Sequence, residues 1–207
     1  MIEHVLPHDF IFEFNCEEQL IHDYLEQIKK SDIDWSRTVN SEIDIFISTG
    51  YPVPHNIKLF DWLNECNKKI KSMYFQDNIE LTICDMWIVK SNMGEISRWH
   101  YHPLSIFSGL LYFQDSEIKT EFKIHNQFNI KHHDLFSVAM KESMKEKIVS
   151  VTPKKGKLII WPSYITHRVA RNKKPSTRYT LAYNTFINGT LSKYETQKLS
   201  LEVKYTN

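Results

Sequence analysis

Residues 79–114 read IELTICDMWIVKSNMGEISRWHYHPLSIFSGLLYFQ. Short runs of β-branched and aromatic residues alternate with polar, glycine- or proline-containing breaks, which is the signature of strands joined by turns. Three candidate strands lie here: IELTICDMWIVK (79–90), RWHYH (98–102) and SIFSGLLYFQ (105–114). The same texture continues downstream in KTEFKIH (119–125), KIVSVTP (147–153), GKLIIWP (156–162), THRVAR (166–171) and TRYTLAYNTF (177–186). Eight short strands after a helical beginning predict a mainly β protein. The expected core is a double-stranded β-helix, a jelly-roll or cupin-like arrangement, with N-terminal helices packed outside it.

Upstream, EEQLIHDYLEQIKK (17–30) places Leu20, Ile21, Tyr24, Leu25 and Ile28 at helical spacing, with acids early and lysines late as the helix dipole favours. NIKLFDWLNECNKKIKSMYF (56–75) repeats the layout around Leu59, Phe60, Leu63, Cys66 and Ile70 after Pro52 and Pro54. A chain of 207 residues, 42% hydrophobic, can bury one substantial core but hardly two. The reading is therefore one domain over 1–207: a helical or mixed support region at 1–78, the jelly-roll core at 79–190 and a C-terminal extension at 191–207. Asn126–Lys147, with His132, His133 and Asp134, reads as a solvated connection, a short helix or a surface insertion near a site mouth.

Lysine and arginine total 26 against 25 acids, a net charge of +1, so no global field draws the chain to nucleic acid or an anionic membrane. The apolar stretches fall well short of the roughly 20 residues that cross a bilayer. The N-terminus, MIEHVLPHDFIFEF, has acids and an early proline where a secretory signal would be basic and then apolar. Cys16, Cys66 and Cys84 form no CxxC pair and read as reduced packing thiols. A cytoplasmic location is expected.

The chemistry sits in two segments. His100 and His102 are two apart, and if RWHYH is a strand its side chains alternate with period two, so both imidazoles point one way. His167 supplies a third nitrogen from a later strand, and three such donors suit a transition metal. Eleven residues on, Arg178 shares a strand face with Thr180, Ala182 and Asn184, opposite Tyr179, Leu181 and Tyr183. An arginine among small inward residues calls for a buried anion, since an unpaired buried guanidinium is costly. Its fork fits a carboxylate, and the Thr180 hydroxyl can add a hydrogen bond. A metal beside a place for an organic carboxylate matches an oxo-acid with a distal carboxylate, the shape of 2-oxoglutarate.

At this point the chain resembles the 2-oxoglutarate/Fe(II)-dependent oxygenases, whose pattern is HxD or HxE, a distant His, and an Arg about ten residues later. It is most similar to an oxygenase family of marine bacteria and phages with a glycine and an acid before HxHP, then Ser-Gly and an aromatic strand. The matching segments are MWIVKSNMGEISRWHYHPLSIFSGLLYF, GKLIIWPSYITHRVARN and RYTLAYNTFINGTL. The resemblance implies Fe(II), 2-oxoglutarate and O2, with hydroxylation of a substrate and release of succinate and CO2. It implies iron ligands at His100 and His167, a co-substrate carboxylate on Arg178, help from the Tyr112 hydroxyl, and Thr180 and Asn184 in the pocket wall. His102 departs from the wider pattern, because a carboxylate usually completes the triad. Three neutral imidazoles leave the iron one unit more positive. Either His102 ligates, or it contacts substrate while Glu95 or Asp115 ligates, or the site no longer turns over. The first reading is preferred.

Two rival functions share these residues. A three-histidine cupin-type metalloenzyme would need no oxo-acid and no Arg178. A non-catalytic binding module, for nucleic acid for example, would use the basic stretches PKKGK and HRVARNKKPSTR, although acids nearly cancel them and hairpin solubility explains the lysines. Trp87, Trp99 and Trp161 read as packing, Gly109 as a bulge or close backbone approach, and Ser108 as pocket lining or a space-filler. The substrate, small or macromolecular, and the oligomeric state are not legible. The N-terminal segment and residues 126–147 are the expected determinants of specificity.

Overall fold

In the computed structural model, the structure describes residues 2–6, 9–37, 48–51, 53–124, 147–194 and 197–203. The insertion expected at Asn126–Lys147, including His132, His133 and Asp134, lies almost wholly outside these residues.

Both expected helices form. Helix α1 spans Glu18–Lys30 and buries Ile21, Tyr24 and Ile28; α2 spans Ile57–Tyr74 and buries Leu59, Leu63, Cys66 and Ile70. The Asn56 side chain caps α2 by accepting from the Leu59 N–H at 3.1 Å, satisfying one of the donors a helix start leaves open. No helix among the described residues is long and apolar enough to cross a membrane.

The strands are β1 (Ile2–Leu6), β2 (Asp9–Asn15), β3 (Asp34–Arg37), β4 (Ser48–Tyr51), β5 (Ile79–Ser91), β6 (Ser97–His100), β7 (Phe107–Tyr112), β8 (Thr120–Ile124), β9 (Lys147–Val151), β10 (Lys157–Pro162), β11 (His167–Val169), β12 (Arg178–Tyr194) and β13 (Gln197–Leu201). They form two antiparallel sheets. The larger runs β1-β2-β10-β7-β12-β5-β4-β3, with β13 paired to β12; the smaller runs β6-β11-β8-β9. Each of the eight segments expected between 79 and 186 contains one strand, β5 to β12, and the two facing sheets are the predicted double-stranded β-helix.

Alternation along the strands divides the core in two. One face of the larger sheet presents Phe12, Phe14, Met86, Ile88, Leu111, Leu158, Ile160, Leu181 and Tyr183 to α1 and α2. Its other face presents Ile11, Leu110, Tyr112, Ile159, Trp161 and Ala182 to Phe122, Ile124 and Val151 of the smaller sheet. Cys16 and Cys66 pack under the helices, where burial pushes their thiols up to about 11 and about 12. They stay protonated at neutral pH, as packing residues should.

Four N-terminal strands were not expected. The period-two order of Ile11, Phe12, Glu13 and Phe14 was present in the sequence, and β2 uses it to join β10 in the larger sheet. A second difference matters more for function: RWHYH is not a strand through His102. Strand β6 ends at His100, because Pro103 follows with no N–H to give a ladder, and Leu104 turns the chain at φ +58°.

Gly109 marks a close approach rather than a bulge. A Cβ there would lie 2.3 Å from ring carbons of Tyr183, whose hydroxyl donates to Asn67 Oδ1 at 3.1 Å. Gly109→Ala should therefore destabilise the fold by about 1–3 kcal/mol through overpacking. Thermal unfolding checks this: a melting temperature equal to wild type would show that Tyr183 gives way freely.

Candidate metal centre

The smaller sheet brings two of the histidines together. Strands β6 and β11 are neighbours, their register sets His167 against His100, and the two rings lie 4.3 Å apart. His102 arrives by the turn after β6, where its backbone N–H donates to the Ser163 carbonyl at 3.1 Å. Its ring is 5.2 Å from His100 and 5.0 Å from His167. One nitrogen from each ring falls within 4.8 Å of the others, and among the described residues this is the only such group of histidines, cysteines or acids.

Each imidazole has its Nδ1 committed to an oxygen. His100 Nδ1 lies 2.7 Å from the Arg98 carbonyl, His167 Nδ1 lies 3.2 Å from the Ile165 carbonyl, and His102 Nδ1 lies 2.6 Å from Asn184 Oδ1. Carbonyl and carboxamide oxygens only accept, so the proton of each neutral ring sits on Nδ1 and the lone pair on Nε2. Three Nε2 donors aimed into one space are what a metal-binding imidazole set requires.

The carboxylate alternatives do not join the group. Glu95 is buried in a turn, where its carboxylate accepts from the Asn92 N–H at 2.6 Å. Asp115 is held elsewhere by the Lys155 N–H at 2.8 Å. Among the described residues the candidate donor set is three imidazoles.

In the larger sheet, Arg178 is 3% exposed on β12. Its Nε has no partner and its Nη1 reaches only the Ile118 carbonyl, at 3.4 Å. Among the described residues no acid pairs with it. A guanidinium removed from water without a counter-ion is expensive, and this one has donors free to receive an anion. Tyr112 is fully buried, shares a 2.7 Å hydrogen bond with Thr120 Oγ1, and has its hydroxyl pushed up mainly by burial. It remains a phenol and can donate. Thr180, also buried, pairs with Tyr112 across β12 and β7. Asn184 does not turn to this pocket as expected: its carboxamide oxygen is taken by His102 and by the Ser108 hydroxyl at 2.9 Å.

Sequence reading set Trp161 aside as packing. Its ring does pack, edge-on, 4.8 Å from His167, yet its buried indole N–H has no partner among the described residues. Buried indoles normally find an acceptor. Trp161 is a second vacant donor on the inner face with Arg178, and only long-range packing reveals it.

Burial lowers the pKa of all three histidines, that of His167 furthest, where the nearby His100 and His102 add to the effect. The rings are neutral and ready to ligate at neutral pH. In the unfolded chain histidine titrates near about 6.5. Below that pH the unfolded state binds more protons than the folded one, so metal-free stability should fall as pH drops through about 6.5 toward the folded values. Denaturant melts of metal-free protein from about pH 7.5 to 5 should show the loss; a flat profile would contradict neutral burial.

Comparison with known proteins agrees with this fold. Residues 85–184 match the family described as "Putative 2OG-Fe(II) oxygenase". No curated protein matches the sequence. Among solved structures, an oxidoreductase of the 2OG-Fe(II) oxygenase family from Burkholderia pseudomallei superposes with a TM-score of 0.57 at 11% identity, over 84% of each chain. A prolyl-4-hydroxylase from Pseudomonas putida gives 0.58 at 10% identity, over 85% of this chain and 92% of that one. HygX from Streptomyces hygroscopicus, solved with nickel and 2-oxoglutarate bound, gives 0.53 at 8% identity, over 84% and 82%. At these identities the likeness concerns the fold.

Proposed function

We propose that this chain, whose residues 85–184 match the 2OG-Fe(II) oxygenase family, is such an oxygenase, holds its iron on His100, His102 and His167 and anchors 2-oxoglutarate on Arg178. The observation that carries the reading is the buried guanidinium which, among the described residues, has no acid paired with it, on the strand face it shares with Thr180 and Ala182. A three-histidine enzyme without an oxo-acid would leave that charge unexplained.

Bound together, Fe(II) and 2-oxoglutarate supply the oxidising chemistry, consuming O2 and releasing succinate and CO2 as a substrate is hydroxylated. The protein's own share is binding, orientation and exclusion of water. Arg178 receives the distal carboxylate, with its fork fixing direction as well as affinity. Tyr112, kept protonated, and Thr180 offer hydroxyls in the same region. Leu110, Phe122, Ile165, Trp161 and Ala182 make the inner wall apolar, which strengthens each of these polar contacts.

The basic segments give little support to a polyanionic substrate. Lys154 pairs with Asp115, Lys155 with Glu18, Lys157 with Glu13, Arg168 with Glu121 and Lys174 with Glu117. The prime substrate is thus read as something other than nucleic acid, and the free thiols Cys16, Cys66 and Cys84 support a reducing, cytoplasmic setting.

Nickel, which does not turn over, allows the co-substrate site to be tested directly. Calorimetric titration of 2-oxoglutarate into Ni(II)-loaded protein should show one site per chain, and titration into metal-free protein much weaker binding. Equal binding with and without metal, or none with it, would defeat the reading.

A further inference from the structure

Behind His102 lies a cluster of hydroxyls that the reaction does not itself require. His102 Nδ1 is 2.6 Å from Asn184 Oδ1 and 2.9 Å from Ser108 Oγ. Ser108 Oγ is 2.9 Å from Asn184 Oδ1 and 2.8 Å from Ser163 Oγ, which is 2.7 Å from Ser105 Oγ. The chain ends on backbone carbonyls, those of Phe107 at 3.1 Å and Thr185 at 3.2 Å from Ser105 Oγ. Ser108 and Ser163 are fully buried, so these bonds are made away from competing water.

Acceptors stand at both ends of the chain and fix the protons there. Carbonyls only accept, so the Ser105 hydroxyl donates to them, and Ser163, with one proton, gives it either to Ser105 or to Ser108. The Asn184 oxygen also only accepts, and it is accepting from Ser108 and from His102 Nδ1–H. His100 and His167 obtain the same tautomer from backbone carbonyls of their own neighbourhoods, and their strands pair with each other. His102 stands outside any strand, in a turn whose next residues are Pro103 and the left-handed Leu104. Its ring packs near Trp87, Trp161, His100 and His167, but the hydrogen bonds at its Nδ1 come from this cluster. Strand register delivers the parts from three places: Asn184 lies opposite Ser108 on β7, and Trp161, two residues before Ser163, lies opposite Ser108 from the other side.

We infer that Asn184 is a positioning residue which, with Ser108, fixes the tautomer and rotation of His102 so that an imidazole completes an uncharged metal triad where a carboxylate would otherwise stand. The inference rests on the reading of His100, His102 and His167 as metal ligands. It gives the serine of the Ser108-Gly109 pair a task tied to the second histidine of HxH. It also removes Asn184 from the co-substrate pocket.

Co(II), followed by its visible absorption during titration of the otherwise metal-free full chain, reports both affinity and ligand geometry without turnover. Asn184→Leu keeps the size and removes the acceptor; Co(II) affinity should fall roughly 10–100-fold, the usual effect of losing such an outer partner, with a changed spectrum. Asn184→Asp restores an acceptor at the same place and should bind at least as tightly as wild type. In a His102→Ala background Asn184→Leu should have no further effect, because Asn184 acts only through that ring. Wild-type affinity and spectrum in Asn184→Leu, or an equal loss with and without His102, would overturn the inference. If Asn184→Leu does not fold, Asn184→Ala and Asn184→Asp decide it in the same way: the first must weaken binding and the second must not. His100→Ala and His167→Ala separate the two levels. If they lose Co(II) while the Asn184 variants do not, the inference alone fails; if they too bind like wild type, the metal reading fails first.

Discussion

His167→Ala should abolish iron binding, and His100→Ala should come close to doing so. Each removes one of three nitrogens on a site that, among the described residues, has no substitute ligand, since Glu95 is tied to the Asn92 turn and Asp115 to Lys155. The loss should exceed the roughly 10–100-fold expected for an outer partner. Metal content after equilibrium dialysis against Fe(II) without oxygen checks it. His167 is the more severe case, because it is buried and packed between Trp161 and Phe122. His167→Gln, closer in volume, guards against a loss that reflects collapse alone. Stoichiometric iron in both His167 variants would mean the metal sits elsewhere.

Arg178 should separate binding of co-substrate from binding of metal. Two charge-assisted hydrogen bonds to a buried carboxylate are together worth about 3 kcal/mol, so Arg178→Met should weaken 2-oxoglutarate roughly 100-fold while leaving metal affinity alone. The same change should raise the melting temperature of the metal-free protein. Without co-substrate the guanidinium is a buried charge lacking a counter-ion, and an apolar side chain of similar length relieves that cost. Loss of affinity with gain of stability is a combination that a purely structural arginine would not give. If Arg178→Met melts lower and still binds 2-oxoglutarate normally, the residue is a packing element.

Much of this was legible before any fold was known, and the exceptions are physical. Strands β5 to β12 announced themselves because each is a short β-branched or aromatic run bounded by turn residues. Arg178, Thr180 and Ala182 could be placed on one face because alternation is a local rule. The three histidines gather as the sequence led one to expect, but His102 does so by another route: it comes after the end of β6, just before the Pro103–Leu104 turn, and not by strand alternation. What sequence could not show was pairing at a distance. Asn184 looked like pocket wall because its partner His102 lies 82 residues away, joined through the β7–β12 register. The vacant N–H of Trp161 was hidden for the same reason, since a lack of partners is a property of the whole packed interior. Strand β2 alternates over Asp9–Asn15, but a single short alternating run does not announce its partners, and β1 and β10 supply them.

The central claim is that this three-imidazole centre, paired with Arg178, consumes 2-oxoglutarate. Protein purified without oxygen should be supplied with Fe(II), 2-oxoglutarate and O2, and succinate measured over time. The account predicts slow succinate release even without a prime substrate, dependent on Fe(II) and lost in His167→Ala and Arg178→Met. No succinate from iron-loaded wild type, or release that continues unchanged in both variants, would contradict it.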